Sequence, residues 1–430
     1  MSGDALVLHV VGASALVLVA AHAGGRLARR LRQPYIVGQL ATGIALGPSL
    51  LGSAAPEAYA VLFPAAIGPV LTGFAQVALV VFLFAVGYEL DLEVLGDRAR
   101  TSVTVALAAF AVPMAVGSGC ALLFREPLHD LGMPRGLSPA AVVFAGVALS
   151  VTAVPVLTAI VRENGLSRSL PGVVAVSAAG LLDVLGWTVL AGAMMDGDGG
   201  PAGLGVPWRA GLAAGFVAVM VLAARPVLRR LLWRTRLEPS LRLALLLGFA
   251  LGSAWVTHAL GLHVIFGALL AGVVVPREED GTLDPDLLRP LHEVGSLLLP
   301  FFFVVSGQSV TLGGLDGTAW AAPLVVTVLA VTTKVGSGAV AARLCGLDRR
   351  DARTVGVLLS ARGLTELIAL DAGRQAGLLS GPLYTALVLM ALATTLLTQP
   401  MLLLARRPAG REGRTPAPHG TASAPVTGKR

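Results

Sequence analysis

Thirteen mostly apolar stretches, separated by short polar connections, fill nearly the whole chain. They cover residues 6–23, 35–51, 70–90, 103–124, 140–161, 173–194, 208–224, 241–260, 262–275, 296–312, 319–344, 355–373 and 383–404. A helix needs about 20 such residues to cross a bilayer, so each stretch reads as a membrane-spanning helix. The stretches 262–275 and 296–312 are short for that purpose. The pattern predicts an all-α polytopic membrane protein with about 13 transmembrane helices in residues 1–404. Beyond Leu404 the apolar pattern stops, and residues 405–430, rich in Pro, Gly, Ala, Ser, Thr and Arg, read as a disordered tail.

Composition agrees and removes several classes. Of 430 residues, 55% are hydrophobic and only 13% charged, about half the charge of a soluble protein. The net charge of +7 is spread too thinly for a nucleic-acid binder, and two cysteines, Cys120 and Cys345, exclude a disulfide scaffold. The position of the charges says more than their number. With the N-terminus outside, 26 of the 32 basic residues fall on inner connections and the tail. Four lie outside (Arg125, Arg135, Arg209 and Arg374), and Lys334 and Arg362 lie within spans. This bias predicts a multi-pass cell-membrane protein, N-terminus outside and C-terminus cytoplasmic. The first 25 residues hold no Arg or Lys, so a cleavable signal peptide is not expected.

Thirteen spans divide as six, one linker and six, which sets the second half upside down relative to the first. Inverted repeats of that kind build many secondary transporters. VGQLATGIALGP in the second span and IFGALLAGVVVP in the ninth are a faint echo at equivalent places. Charges within the spans carry more weight, because each costs about 2.5–3.5 kcal/mol at a helix centre. Asp183 lies midway along the sixth span, Lys334 along the eleventh, and Arg362 and Glu366 along the twelfth. Asp183 reads as an ion and proton site: burial disfavours an ionised carboxylate and a bound cation restores it. The plainer reading is a protonated acid bonded to a neighbouring helix. Lys334 is either a structural ion pair or helix-end contact, or a participant in proton coupling. Arg362 and Glu366, four apart, can pair and stabilise a broken helix. The fifth span carries Thr152 and Pro155 at its centre, and its counterpart, the twelfth, carries Gly363 between charges. Two interrupted helices at matching places point to a transport site.

These residues and the runs LRQPYIVGQLATGIALGPSLLG, FLFAVGYELDLEVL, SVTAVPVLTAIV, HVIFGALLAGVVVPRE, LLPFFFVVSGQSV and ARGLTELIALDAG resemble the cation:proton antiporter-2 family. The likeness is to bacterial members near the plant cation/H⁺ exchangers and the Kef-type systems. It implies a homodimer whose protomers have a dimerisation part (spans 1–3 and 8–10), a linker (span 7) and a mobile core (spans 4–6 and 11–13). Spans 5 and 12 would be crossing discontinuous helices. The resemblance also implies ion binding at Asp183, with Thr152 and Pro155 in the first unwound helix. Lys334 would be the basic residue opposite the aspartate, and Arg362, Gly363 and Glu366 would support the second break. Leu182 stands where the family usually has Asn, Asp or Gln, which removes a ligand or a partner for Lys334. No Rossmann-type regulatory domain, and hence no nucleotide gating, is expected.

The expectation is therefore a monovalent cation (Na⁺ or K⁺):proton antiporter working by alternating access. Asp183 takes either ion in turn, which makes the exchange an electroneutral 1:1. The expected partners are the transported cation, H⁺, membrane lipid and a second copy of the chain, with no cofactor, nucleotide or nucleic acid. A rival on the same fold is a proton-coupled exporter of an organic or ionophore-like solute, prompted by Leu182. A channel would more naturally show rings of carbonyls or carboxylates. An intramembrane enzyme would need a second catalytic group at membrane depth, and neither HExxH nor a second midplane aspartate is present.

Overall fold

The helices follow from long apolar runs whose backbone polar groups must pair internally once water is absent. The computed structural model of the chain describes residues 2–31, 33–90, 99–134, 136–195, 205–234, 238–277, 283–315 and 317–406, and among these every regular element is helical. Residues 407–430 of the expected tail, and part of the ELDLEVL run, lie outside the described residues. In chain order the principal helices begin with α1 (Gly3–Arg30), α2 (Tyr35–Ala45), α3 (Gly68–Glu89) and α4 (Ala99–Leu123). Next come α5 (Pro139–Ser150), α6 (Val154–Glu163), α7 (Leu170–Met195), α8 (Val206–Val219) and α9 (Arg225–Arg234). Then follow α10 (Pro239–Ala259), α11 (Val264–Val274), α12 (Pro285–Gln308) and α13 (Ala321–Leu344). The chain closes with α14 (Arg349–Leu359), α15 (Leu364–Gln375) and α16 (Gly381–Ala405). One π-helical turn, Met220–Ala224, joins α8 to α9.

Among the described residues ten helices, counting α5 with α6 and α8 with α9 as single crossings, are long and apolar enough to span a membrane. The predicted spans 35–51 and 262–275 are instead occupied by α2 and α11, of 11 residues each. A helix of that length reaches about 16 Å, roughly half the hydrocarbon thickness. Both are cut short by proline chemistry. Val275 is extended (φ −60°, ψ 125°) just before Pro276, the conformation a following proline favours, and α2 runs into Gly47 and Pro48.

Two sets of helices pack mainly within themselves. The first comprises α1–α3 and α10–α12, with α3 against α11 and α12, α1 against α2, and α10 against α11. The second comprises α4–α7 and α13–α16, with α4 against α5 and α13, α7 against α4, α5 and α14, and α13 against α14 and α16. The echo between the second and ninth spans has a structural meaning in the first set. A side chain at Gly38 would strike the Gly24 backbone of α1, and one at Gly43 the Phe303 backbone of α12. A side chain at Gly267 would strike the Ser253 backbone of α10, and one at Gly272 the Phe84 backbone of α3. The same pair of glycines, at the same spacing, thus lets each short helix press against the two helices that correspond under inversion. Without a hydrophobic drive between helices in lipid, such close backbone approach is what holds them.

Candidate functional site

The second set contains the site, built around two interrupted helices. The first break falls at residues 151–153, between α5 and α6, and the second at residues 360–363, between α14 and α15. Pro155 sits in the first turn of α6, not inside the break. There its missing N–H costs nothing and its fixed φ starts the helix. Gly363 immediately precedes α15, and a Cβ there would lie 2.5 Å from a Val156 methyl and 3.3 Å from the Ala153 Cβ. The two breaks therefore touch. The Ala153 N–H donates to the Ala361 carbonyl at 3.1 Å, and the Thr152 hydroxyl to the Leu359 carbonyl at 3.0 Å.

A broken helix exposes carbonyls at its C-terminal end and partial negative charge with them. At the end of α5 these are met by two buried cations. Lys334, on α13, donates to the Ser150 carbonyl and, at 3.0 Å, to Ala109. Arg362 donates to Ala148 at 2.7 Å and Leu149 at 2.6 Å, and pairs with Glu366. Its own carbonyl accepts from Thr395 at 2.8 Å. Lys334, Arg362 and Glu366 are each 1% exposed. Basic side chains thus take up the carbonyls that the break in the helix exposes. Lys334 hydrogen-bonds carbonyls and not Asp183, although the two lie within electrostatic reach.

Asp183 stands halfway along α7, 3% exposed. Its carboxylate lines a crevice with Val151 of the first break, Gly186, Trp187 and Leu190 of its own helix, and Ala369 of α15. One oxygen, Oδ1, has no hydrogen-bond partner among the described residues. A buried acid with an unmet oxygen beside irregular backbone is suited to hold a cation or a proton. A second crevice reaches Arg362 and Gly363 on the other side of the breaks, lined also by Val37 and Leu40 of α2 and Val156 of α6. Leu182 is fully buried in the apolar cluster with Val105, Ala178 and Leu358, and does not line the Asp183 crevice.

Known proteins bear on this geometry directly. The family described as sodium/hydrogen exchanger, transmembrane, matches residues 15–404. The Na⁺/H⁺ antiporter NhaS4 of Synechocystis is 31% identical over 93% of this chain and 98% of its own length. The chain belongs to the sodium/hydrogen exchanger family. It is also 34% identical to cation/H⁺ antiporter 19 of Arabidopsis thaliana over 91% of this chain. It spans about half the length of the plant relatives it matches. The sodium proton antiporter MjNhaP1 of Methanocaldococcus jannaschii has the same fold, with a TM-score of 0.66 at 14% identity, covering 94% of this chain and 99% of that one.

Within this exchanger-family fold, every residue singled out from the sequence gathers around the two breaks, Asp183 at the crevice and the rest at the crossing. Three participants were missed, and two of them carried no signal. Ser150 offers the carbonyl that Lys334 takes, and its hydroxyl donates to Phe110 at 3.1 Å. Thr395 is one of many threonines in apolar helices. Trp187 was findable: it lies four residues after Asp183 and so shares its helix face.

Proposed function

We propose that this chain is a secondary antiporter that exchanges a monovalent cation for H⁺ across a cell membrane by alternating access, with Asp183 as the shared site. The observation that carries this is the buried, incompletely bonded carboxylate at the centre of α7, beside two broken helices. Thr152 closes one break onto the other, and Lys334, Arg362 and Glu366 hold the crossing in shape. Gly363 permits its close approach, and Pro155 starts α6. Thirteen crossings are inferred by adding α2, α11 and the α14–α15 pair to the ten long helices. The arginine-rich end is assigned to the cytoplasm with the C-terminus, and the N-terminus to the outside. The set α1–α3 with α10–α12 is assigned to dimerisation, α8–α9 to the linker, and the other set to the moving core.

Lys334 and Arg362 are bound to carbonyls and to Glu366, so Asp183 alone is left to exchange ions, and one acid gives electroneutral 1:1 exchange. Leu182 packs away from the crevice and so does not widen or line it, which favours a small cation over an organic solute. The test is fluorescence dequenching in proteoliposomes, with Na⁺, K⁺ or Li⁺ added in turn. Asp183→Asn is expected to abolish exchange while the protein stays monodisperse; exchange at the normal rate would refute the assignment. An imposed membrane potential is expected to leave the rate unchanged. A net charge moved would couple at about 2.3 kcal/mol per 100 mV, and a clear response would replace the 1:1 ratio.

A further inference from the structure

On the arginine-poor side of Asp183, the crevice-lining Trp187 sits on the seam between the two helix sets, and the residues of that seam belong to no part of the mechanism above. Trp187 lines the crevice from α7 and meets Phe266 of α11 edge-on, with ring centroids 6.3 Å apart and planes at 86°. That geometry is the favourable T-shaped one. Towards the same end, a polar cluster ties the same two helix sets together. Asp371, 3% exposed, accepts from Gln375 at 2.6 Å and from Arg374 at 3.1 Å. The Arg374 guanidinium stands 5.5 Å from the Tyr384 ring centre, and the Tyr384 hydroxyl donates across to the Ser306 carbonyl of α12 at 3.4 Å. From α11, buried His263 faces Asp371 and Gln375 and has an Nδ1 without a partner among the described residues.

We propose that the Trp187–Phe266 contact is the gate over Asp183 on the arginine-poor side, and that the Asp371–Arg374–Tyr384–Ser306 cluster is the clasp that holds it shut. Trp187–Phe266 and Tyr384–Ser306 each join one helix set to the other, so a movement of one set against the other that opens the crevice to that side must break both; Asp371 and Arg374 hold Tyr384 from within its own set. The apolar pair excludes water and ions from the carboxylate; the Tyr384–Ser306 hydrogen bond adds a polar link that exists only in the closed arrangement. The inference rests on the proposed role of Asp183 for its meaning, but not for its test.

The test is thiol accessibility in the full chain. Cys120 and Cys345 are replaced by serine and Gly186→Cys is introduced; a Cβ there meets only a Val151 methyl at 3.4 Å. A membrane-impermeant methanethiosulfonate is then applied to each side of sealed vesicles. Trp187→Ala or Phe266→Ala should raise the labelling rate from the arginine-poor side about tenfold or more, with little change from the other side. Asp371→Asn should raise it less. Phe266→Leu, which retains bulk, serves if either alanine variant misfolds, and should give a smaller rise of the same sidedness. No rise, or an equal rise from both sides, would overturn the gate. Because labelling needs no transport, an active Asp183→Asn protein would defeat the site assignment and leave this result standing.

Discussion

The two half-helices that end at the crossing, α5 and α14, have the same architecture and opposite electrostatics. The end of α5 has three carbonyls met by the cations of Lys334 and Arg362. The end of α14 is closed by neutral donors: Thr152 on Leu359, the Ala361 N–H on Leu358, and Ser360 on Val357. Inverted halves thus share a backbone and divide the charge unequally. The lesson is that a helix break inside a membrane is stabilised by whatever donor reaches it, and that the choice of donor sets the local field. With positive charge collected on the α5 side, Asp183 next to Val151 lies within electrostatic reach of Lys334.

Removing the donors in turn should rank the two ends. Arg362→Leu is expected to cost most, about 3–5 kcal/mol, since it strands the buried Glu366 charge. Thermal unfolding in detergent should show it, and Glu366→Leu added to it should restore part of the loss. The recovery stays partial because Ala148 and Leu149 still lack a donor. Lys334→Met should cost less, about 1–3 kcal/mol in all, for the Ser150 and Ala109 carbonyls that lose their donor. It should also lower exchange more than stability alone explains, because the field at Asp183 changes. Thr152→Val, at the neutral end, should cost only about 0.5–1.5 kcal/mol. If Thr152→Val proved as damaging as Arg362→Leu, the two ends would be equivalent and the comparison would fail.

Much of the site was legible because buried charge is rare. Asp183, Lys334, Arg362 and Glu366 stand out from apolar runs for the same reason that they are costly there. Both breaks were legible too, through Pro155 and Gly363, although the first break proved to lie just before the proline. What Lys334 binds was not legible. Its partners are the carbonyls of Ala109 and Ser150, and every residue has a carbonyl, so no side-chain type marks them. The short length of α2 was equally hidden, because apolar residues continue past Pro48, whereas residues 262–275 already read as short for a crossing.

By its sequence alone this protein is committed to the membrane, to long helices with two interruptions, and to a few charges at membrane depth. Those features depend on local composition: apolar run length, proline and glycine placement, and the cost of charge in hydrocarbon. Only the tertiary structure decided that Lys334 and Arg362 serve one helix end, that Leu182 faces away from the crevice, and that Trp187 meets Phe266. These depend on which surfaces meet when distant helices pack, and contact between such surfaces leaves no periodicity in the chain.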